Sequence, residues 1–327
     1  MERIFSMVCT SRRVASALAM FIVSACHAQL TPDRTYYGVD RPIPMTIVLP
    51  EGVSGEVSVK LLEAASAKEL ASAAASPGPV NLATLFESIW NDRSDKVVYA
   101  QLVVTSGEGE NATSRRIGPA VVLQPMTDRG LASLSGQNPV FRPTGSAYSG
   151  LRAYVDQHVV IETSEGDIEL RLRPDVAPNT VWNFRHLVGG GFYTDIQFHR
   201  VIQDFVIQVG DPTGQGNGGP GYVIDLENSR LPHAFGVLSM ARTGDPNTNG
   251  SQIFICLTRQ RTQALDGKYT AFGEAVGGED VIRKIGATPV AGDRPTNPPM
   301  LKSARLVPAP PYGEGPEALK DAPTQPR

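Results

Sequence analysis

Between Phe198 and Asp211 the chain reads FHRVIQDFVIQVGD, and its alternation limits the possible folds more than any other stretch. From Arg200, every second residue gives Ile202, Asp204, Val206 and Gln208, while Phe198, Val201, Phe205 and Ile207 supply apolar bulk. A repeat of two is the side-chain period of a β-strand. A cation set into so apolar a strand is costly to bury, so Arg200 is expected to serve a site or a partner. The 32 glycines and 26 prolines agree with short strands and many turns rather than helical bundles.

The 327 residues are long for one domain and comfortable for two. A formal charge of −3 gives no reason to expect nucleic acid or an anionic membrane surface as partner. The cysteines are Cys9, Cys26 and Cys256, two of them at the extreme N-terminus. The body therefore has too few for a disulfide framework or a thiolate metal site.

Residues 1–28 read as an export signal. Arg3, Arg12 and Arg13 precede an apolar run from Val14 to Ala25 of secretory length, shorter than the roughly 20 residues needed to span a bilayer. No transmembrane helix is expected in the mature chain. Cys26-His27-Ala28 offers a signal-peptidase site that leaves Gln29 first; Val23-Ser24-Ala25-Cys26 resembles a bacterial lipobox, with Cys26 as the lipidated anchor. Either route predicts an extracytoplasmic protein, periplasmic or secreted.

Residues 29–126 carry several β-like runs, among them 45–49, 56–62, 97–104 and 120–123, separated by turn formers. A small β-sandwich is expected, with one alanine-rich helix between Leu62 and Ala75. Residues 127–157, rich in Ser, Gly and Pro, suit a linker. A second domain, 158–303, opens with two alternating runs around Glu165-Gly166, read as a hairpin. A helix then follows from Ala177 to Val188, with Pro178 in its first turn and three glycines behind it. The Pro-rich residues 304–327 are expected to be a disordered tail.

About 40 residues beyond Arg200 lie Gly236-Val237-Leu238-Ser239-Met240-Ala241 and Asn247-Thr248-Asn249-Gly250-Ser251-Gln252-Ile253-Phe254-Ile255. Together with the Phe198-His199-Arg200 block, these resemble the cyclophilin family of peptidyl-prolyl cis/trans isomerases. The resemblance implies a mostly β protein: a closed antiparallel barrel with two flanking helices, here preceded by the β-sandwich, of bacterial and exported type. It implies that proline-containing segments of client proteins are the substrate, and that no cofactor or metal is required.

In that family the arginine of the Phe-His-Arg block is catalytic, which assigns Arg200. By the same resemblance Phe205, Val206 and Phe254 line the proline pocket. Gln208 and Gln252 bind the substrate backbone and steady Arg200, while Ala241, Arg242, Leu265 and Tyr269 complete the substrate site. His199 is also placed in the substrate site by the resemblance, although at a strand position neighbouring the arginine its side chain is expected to face the other way, as a satisfied structural histidine rather than an acid–base group. The glycine-rich run from Asp211 to Tyr222 lacks a Gly-Lys-Ser/Thr ending and reads as a structural loop rather than a phosphate cradle.

The chain departs from the family where Arg242 replaces a frequent asparagine, Ala264 a frequent tryptophan or phenylalanine, and Tyr269 a histidine. The loss of an aromatic wall at Ala264 predicts weak binding of aromatic inhibitors such as cyclosporin, with turnover retained. The alternative reading is a catalytically weak peptide-binding or scaffold module, its site spoiled by Arg242 or Ala264.

Overall fold

The computed structural model describes residues 29–127, 130–142 and 147–321. The expected export signal, residues 1–28 with Cys26, lies outside them. The described part is mostly strand, arranged as two packed units.

In the first unit, a three-stranded sheet takes the order Gln29–Pro32, Pro44–Val48, Gly78–Asn81. It faces a six-stranded sheet in the order Tyr36–Gly38, Tyr148–Val155, Thr113–Thr127, Val98–Ser106, Glu56–Glu63, Glu69–Ala75. Leu30, Ile43 and Met45 meet Val59, Leu102 and Val121 in a shared core. The stretch expected as a helix is instead largely the edge strand Glu69–Ala75. Ala71, Ala73 and Ala75 pair with Leu61, Val59 and Val57 and pack on the core, so a repeat of two overrides alanine's helix preference.

The expected linker is also corrected. Ala132–Ser135 and Asn138–Phe141 form a hairpin, and Tyr148–Val155 pairs with both Thr113–Thr127 and Tyr36–Gly38. Asp156 alone separates that strand from the first strand of the second unit, Gln157–Thr163.

The second unit is one curled antiparallel sheet of nine strands, ordered Thr194–Gln197, Met300–Pro308, Gln157–Thr163, Asp167–Leu172, Ala271–Gly277, Val237–Met240, Ile253–Cys256, Val206–Val209, Arg200–Ile202. Its two end strands are joined through Phe198 and His199 only, so the chain itself closes the barrel seam. The hairpin around Gly166 forms as expected, with Val159 opposite Leu170 and Ile161 opposite Ile168. Gly166 has φ +132°, and a Cβ there would stand 2.7 Å from Val281 Cγ2, so both conformation and space require glycine.

The helix Pro178–Gly189 has no side-chain cap of its own. Glu227 supplies one, accepting hydrogen bonds from the backbone N–H groups of Asn179 and Thr180 at 3.2 and 2.7 Å. Phe184 of this helix and Ile282 and Ile285 of the helix Glu279–Gly286 pack on the main core with Ile168, Leu238, Ile255 and Phe272.

The second face of the six-stranded sheet is covered by the second unit. Tyr99, Val122 and Tyr154 cluster with Trp182 from the helix and with Tyr312. Arg185 lies 4.5 Å from the Tyr154 ring centroid and Arg152 lies 4.6 Å from that of Trp182. Tyr312 stacks on Tyr99 at 3.8 Å between centroids, its backbone N–H donates to Gln101 Oε1, and its hydroxyl donates to Ala64 O. The expected disordered tail is therefore wrong through residue 321: residues 304–308 finish a strand, and Leu319 bonds Ala275 and packs against the barrel core. Proline content marks irregular backbone, and here packing holds that backbone.

Candidate active site

Strand alternation separates the core from the site. Val201, Ile207, Ile253 and Ile255 belong to the barrel interior, whereas Val206, Phe254 and Cys256 form a second cluster with Val237 and Ala271 on the other face. Register places Arg200 opposite Gln208 and Gln208 opposite Phe254, so these three stand in one row across the sheet. Ile202, Val206 and Cys256 form the next. An apolar floor thus lies directly beside a polar row.

The cleft above this row has a volume of about 410 Å³. It is lined by Arg200, His199, Phe205, Val206, Gln208, Ala241, Arg242, Phe254, Leu265 and Tyr269, and from unexpected quarters by Asp293, Arg294, Gln215 and Gly216. Gln252 lines a second cleft of about 320 Å³ that shares Gln208, Gly216, Ala241 and Arg242 with the first. Of the expected site residues within the described part, all line one or both clefts.

Arg200 is held from two sides. Its Nε donates to Asp293 Oδ2 at 2.8 Å, and one Nη donates to Gln208 Oε1 at 3.3 Å. Gln208 Nε2 donates to Gln252 Oε1 at 2.9 Å, and Gln252 Nε2 donates to the carbonyls of Gly216 and Gly218. Gln208 steadies the guanidinium directly and Gln252 does so through Gln208. The hydrogen bond from Arg200 holds the Asp293 carboxyl below its ordinary range. The second Nη of Arg200 has no protein partner among the described residues.

Phe254 is fixed from behind and from the side. His233 stacks on it at 6.0 Å, its Nδ1 donating to Asp266 Oδ1 and its Nε2 bonded to Ser239 Oγ, and Tyr269 meets it edge-on at 5.8 Å. Arg242 lies over the Tyr269 ring at 4.6 Å and donates to the carbonyl of Lys268, so its charge is folded onto the rim. Ala264 sits exposed on the short 3-10 turn Gln263–Leu265, outside the cleft lining.

His199 requires a correction. It lines the same cleft as Arg200, it is buried, and neither ring nitrogen makes a well-formed hydrogen bond. The residue precedes the strand Arg200–Ile202, where the backbone is irregular and strict alternation does not apply. Burial lowers its pKa, which keeps the imidazole neutral at pH 7.

Nothing in the sequence pattern marks Asp293, Arg294, His233 or Asp266 as site residues. The first two lie at the turn between Val290–Ala291 and Arg294–Pro295, more than 90 residues from Arg200. The available signal was Asp293-Arg294-Pro295 beside a glycine, which reads as an ordinary turn.

Asp211 organises the glycine-rich loop, accepting from Thr213 N, Thr213 Oγ1 and Gly216 N. Burial pushes its carboxyl up, but hydrogen bonds from Gly218, Thr213 and Gly216 outweigh that and hold it at about 2. A folded-state pKa below the unfolded value means that the stabilisation is complete above about pH 4. It is lost as pH falls towards 2. Urea titrations are expected to show about 2 kcal/mol of loss across that window. An Asp211→Asn chain with the same acid profile would remove Asp211 as the cause.

Residues 158–306 match the family Cyclophilin type peptidyl-prolyl cis-trans isomerase/CLD. The chain is 45% identical over 155 residues to the peptidyl-prolyl cis-trans isomerase-like 1 of Neurospora crassa, covering 46% of this chain and 93% of that one. The chain belongs to the cyclophilin-type isomerases. It is also 47% identical over 156 residues to the peptidyl-prolyl cis-trans isomerase ppi1 of Schizosaccharomyces pombe, covering 46% of this chain and 97% of the relative. A Cryptosporidium parvum cyclophilin crystallised with the dipeptide Ala-Pro is 34% identical, with a TM-score of 0.44 over 46% of this chain and 99% of its own. The cyclophilin match leaves the first unit outside it.

Family membership turns the exposed Ala264 into a measurable expectation. Ala264 adds no aromatic wall to the cleft, so the chain is expected to bind cyclosporin weakly while keeping tetrapeptide turnover. Calorimetry showing tight binding by the unaltered chain would refute it.

Proposed function

We propose that the chain is an exported peptidyl-prolyl cis/trans isomerase in which Arg200 donates to the amide nitrogen of a bound proline. The X–Pro bond resists rotation because its nitrogen lone pair is delocalised into the carbonyl, giving a barrier of roughly 18–20 kcal/mol. A donor directed at that nitrogen as it pyramidalises favours the twisted state. An acceleration of 10⁴–10⁵ needs only about 5.5–7 kcal/mol, of which one preorganised cationic donor in a site sheltered from water supplies several. No proton is transferred overall, so a neutral His199 is compatible with turnover and no general base is required.

One observation carries the reading. Arg200 is fixed through Nε and one Nη, its other Nη is free of protein partners among the described residues, and Val206 and Phe254 form an apolar floor next to it. An arginine stays protonated and presents a rigid fork, so anchoring two nitrogens aims the third. Phe205 and Leu265 pack against that floor and supply walls for a proline ring. Arg242, held on Tyr269, does not pair with the polar row, which disfavours the scaffold alternative. A tetrapeptide isomerisation assay tests the activity, and an inactive wild-type chain would refute it.

The extracytoplasmic site and exported clients rest on residues 1–28, with cleavage before Gln29 or lipidation at Cys26. Support comes from the charged start, the apolar run and the small residues around Cys26. The named relatives are eukaryotic, so bacterial provenance rests on that segment as well. Mass spectrometry of the mature N-terminus separates cleavage, lipidation and retention of the segment.

A further inference from the structure

The hairpin Ala132–Ser135 and Asn138–Phe141 belongs to the segment that joins the two units, yet it reaches the rim of the substrate cleft. Asn247 Nδ2 donates to Ala132 O at 2.8 Å. The loop carrying Asn247 also carries Thr243 and Thr248, which line the second cleft opposite Tyr222 and Val223. Asn247 Oδ1 accepts from Leu226 N, and Ile224 pairs with Asn249, so this wall and the loop are tied side by side.

Hairpin register pairs Ala132 with Phe141 and Leu134 with Pro139, which gathers four apolar side chains on one face. Ala132 is buried, whereas Leu134 is 43% exposed. Among the described residues seven large hydrophobic side chains are exposed; Leu134 stands on this face, Val140, opposite Ser133, stands on the hairpin's other face, Leu131 precedes the hairpin, and Tyr222 and Val223 line the second cleft. Such a concentration marks an interaction surface rather than scatter. The ten residues from Ala132 to Phe141 contain no charge, and among the described residues the two strands have no further strand on either edge. Exposed edges are usually defended by charged side chains. This one is open to an extended chain that adds backbone hydrogen bonds and apolar contacts.

We propose that this hairpin extends the substrate cleft and binds the unfolded, apolar stretch of client polypeptide that flanks the proline. The inference rests on the isomerase reading of the same cleft and adds the substrate class: extended unfolded chains in preference to short peptides. The continuous rim from the second cleft through Asn247 to Ala132 gives the occupant its path, and the absence of charge matches an apolar partner.

The test compares the full chain with Leu134→Asp and, as a milder change, Leu134→Ser. One substrate is a proline-containing tetrapeptide; the other is a reduced, carboxymethylated protein whose refolding is limited by an X–Pro bond. Tetrapeptide kcat/KM is expected to stay within twofold. Catalysis of refolding is expected to fall about fivefold or more for the Asp variant, through KM. Unchanged refolding catalysis overturns the proposal, as does an equal loss on both substrates, which would place the hairpin's effect at the catalytic loop. A wild-type dimer that becomes monomeric in the variant by sedimentation would assign the face to self-association and also overturn it. Should the wild type lack tetrapeptide activity, the isomerase reading fails separately. Anisotropy of the labelled unfolded protein then decides the hairpin's role, with at least fivefold weaker binding by Leu134→Asp as the supporting result and equal binding as the contrary one.

Discussion

Arg200→Ala is expected to lower kcat/KM for tetrapeptide isomerisation by about 10²–10³ while leaving the unfolding midpoint nearly unchanged. The size follows from removing one preorganised donor, which costs about 3–4 kcal/mol of transition-state stabilisation. The neutral effect on stability follows from geometry. The Arg200 side chain is 41% exposed, and its partner Asp293 is 57% exposed, so their ion pair contributes little to folding. Arg200→Lys should recover little, because the three donors of an ammonium sit on one flexible atom and lack the planar fork that anchors on Asp293 and Gln208 while aiming a further N–H at the substrate. Equal kcat/KM for wild type and Arg200→Ala would leave the enzyme reading standing and remove Arg200 from it.

The second large effect is on stability. Tyr312→Ala is expected to destabilise the first unit by about 3 kcal/mol, because it removes an aromatic stacked on the buried Tyr99 and leaves a void against the six-stranded sheet. Tyr312→Phe keeps the stack and loses only the hydroxyl bond to Ala64, an expected cost of about 1 kcal/mol. Denaturant melts of both variants, with tetrapeptide turnover measured in parallel, separate the effects. A Tyr312→Ala chain as stable as wild type would show that the ring merely lies on the surface.

What could be read in advance divides along physical lines. Phe198 to Gln208 reads as one alternating strand but folds as a hairpin: Arg200–Ile202 and Val206–Val209 pair antiparallel across a turn in which Asp204 takes φ +60°, so Arg200 and Gln208 share a face as cross-strand partners rather than along one strand. The pairing of Gln208 with Gln252 does not follow from register, because Gln208 stands opposite Phe254 and Gln252 reaches it diagonally from just before the strand Ile253–Cys256. Asp293 does not declare itself, since nothing local distinguishes an ordinary turn aspartate from one that meets an arginine more than 90 residues away in sequence. The alanine-rich stretch misleads because propensity and periodicity compete there, and register with Val57, Val59 and Leu61 decides the outcome. His199 misleads for the opposite reason, because alternation does not reach the residue just before the strand Arg200–Ile202. Tyr312 was hidden by composition: prolines around it signal irregular backbone and say nothing of whether that backbone is packed.

The position of Tyr312 also sets an order of events. Chains are synthesised from the N-terminus, and domains generally fold as units in that order. Here the face of the first sheet that carries Tyr99 and Val122 waits for Trp182 and then for a residue more than 200 positions behind Tyr99. Until the last strand, Met300–Pro308, has left the ribosome and the segment after it has docked, that face stays open to water and to other chains. A protein proposed to assist the folding of others would thus complete its own first unit only when its synthesis is nearly over.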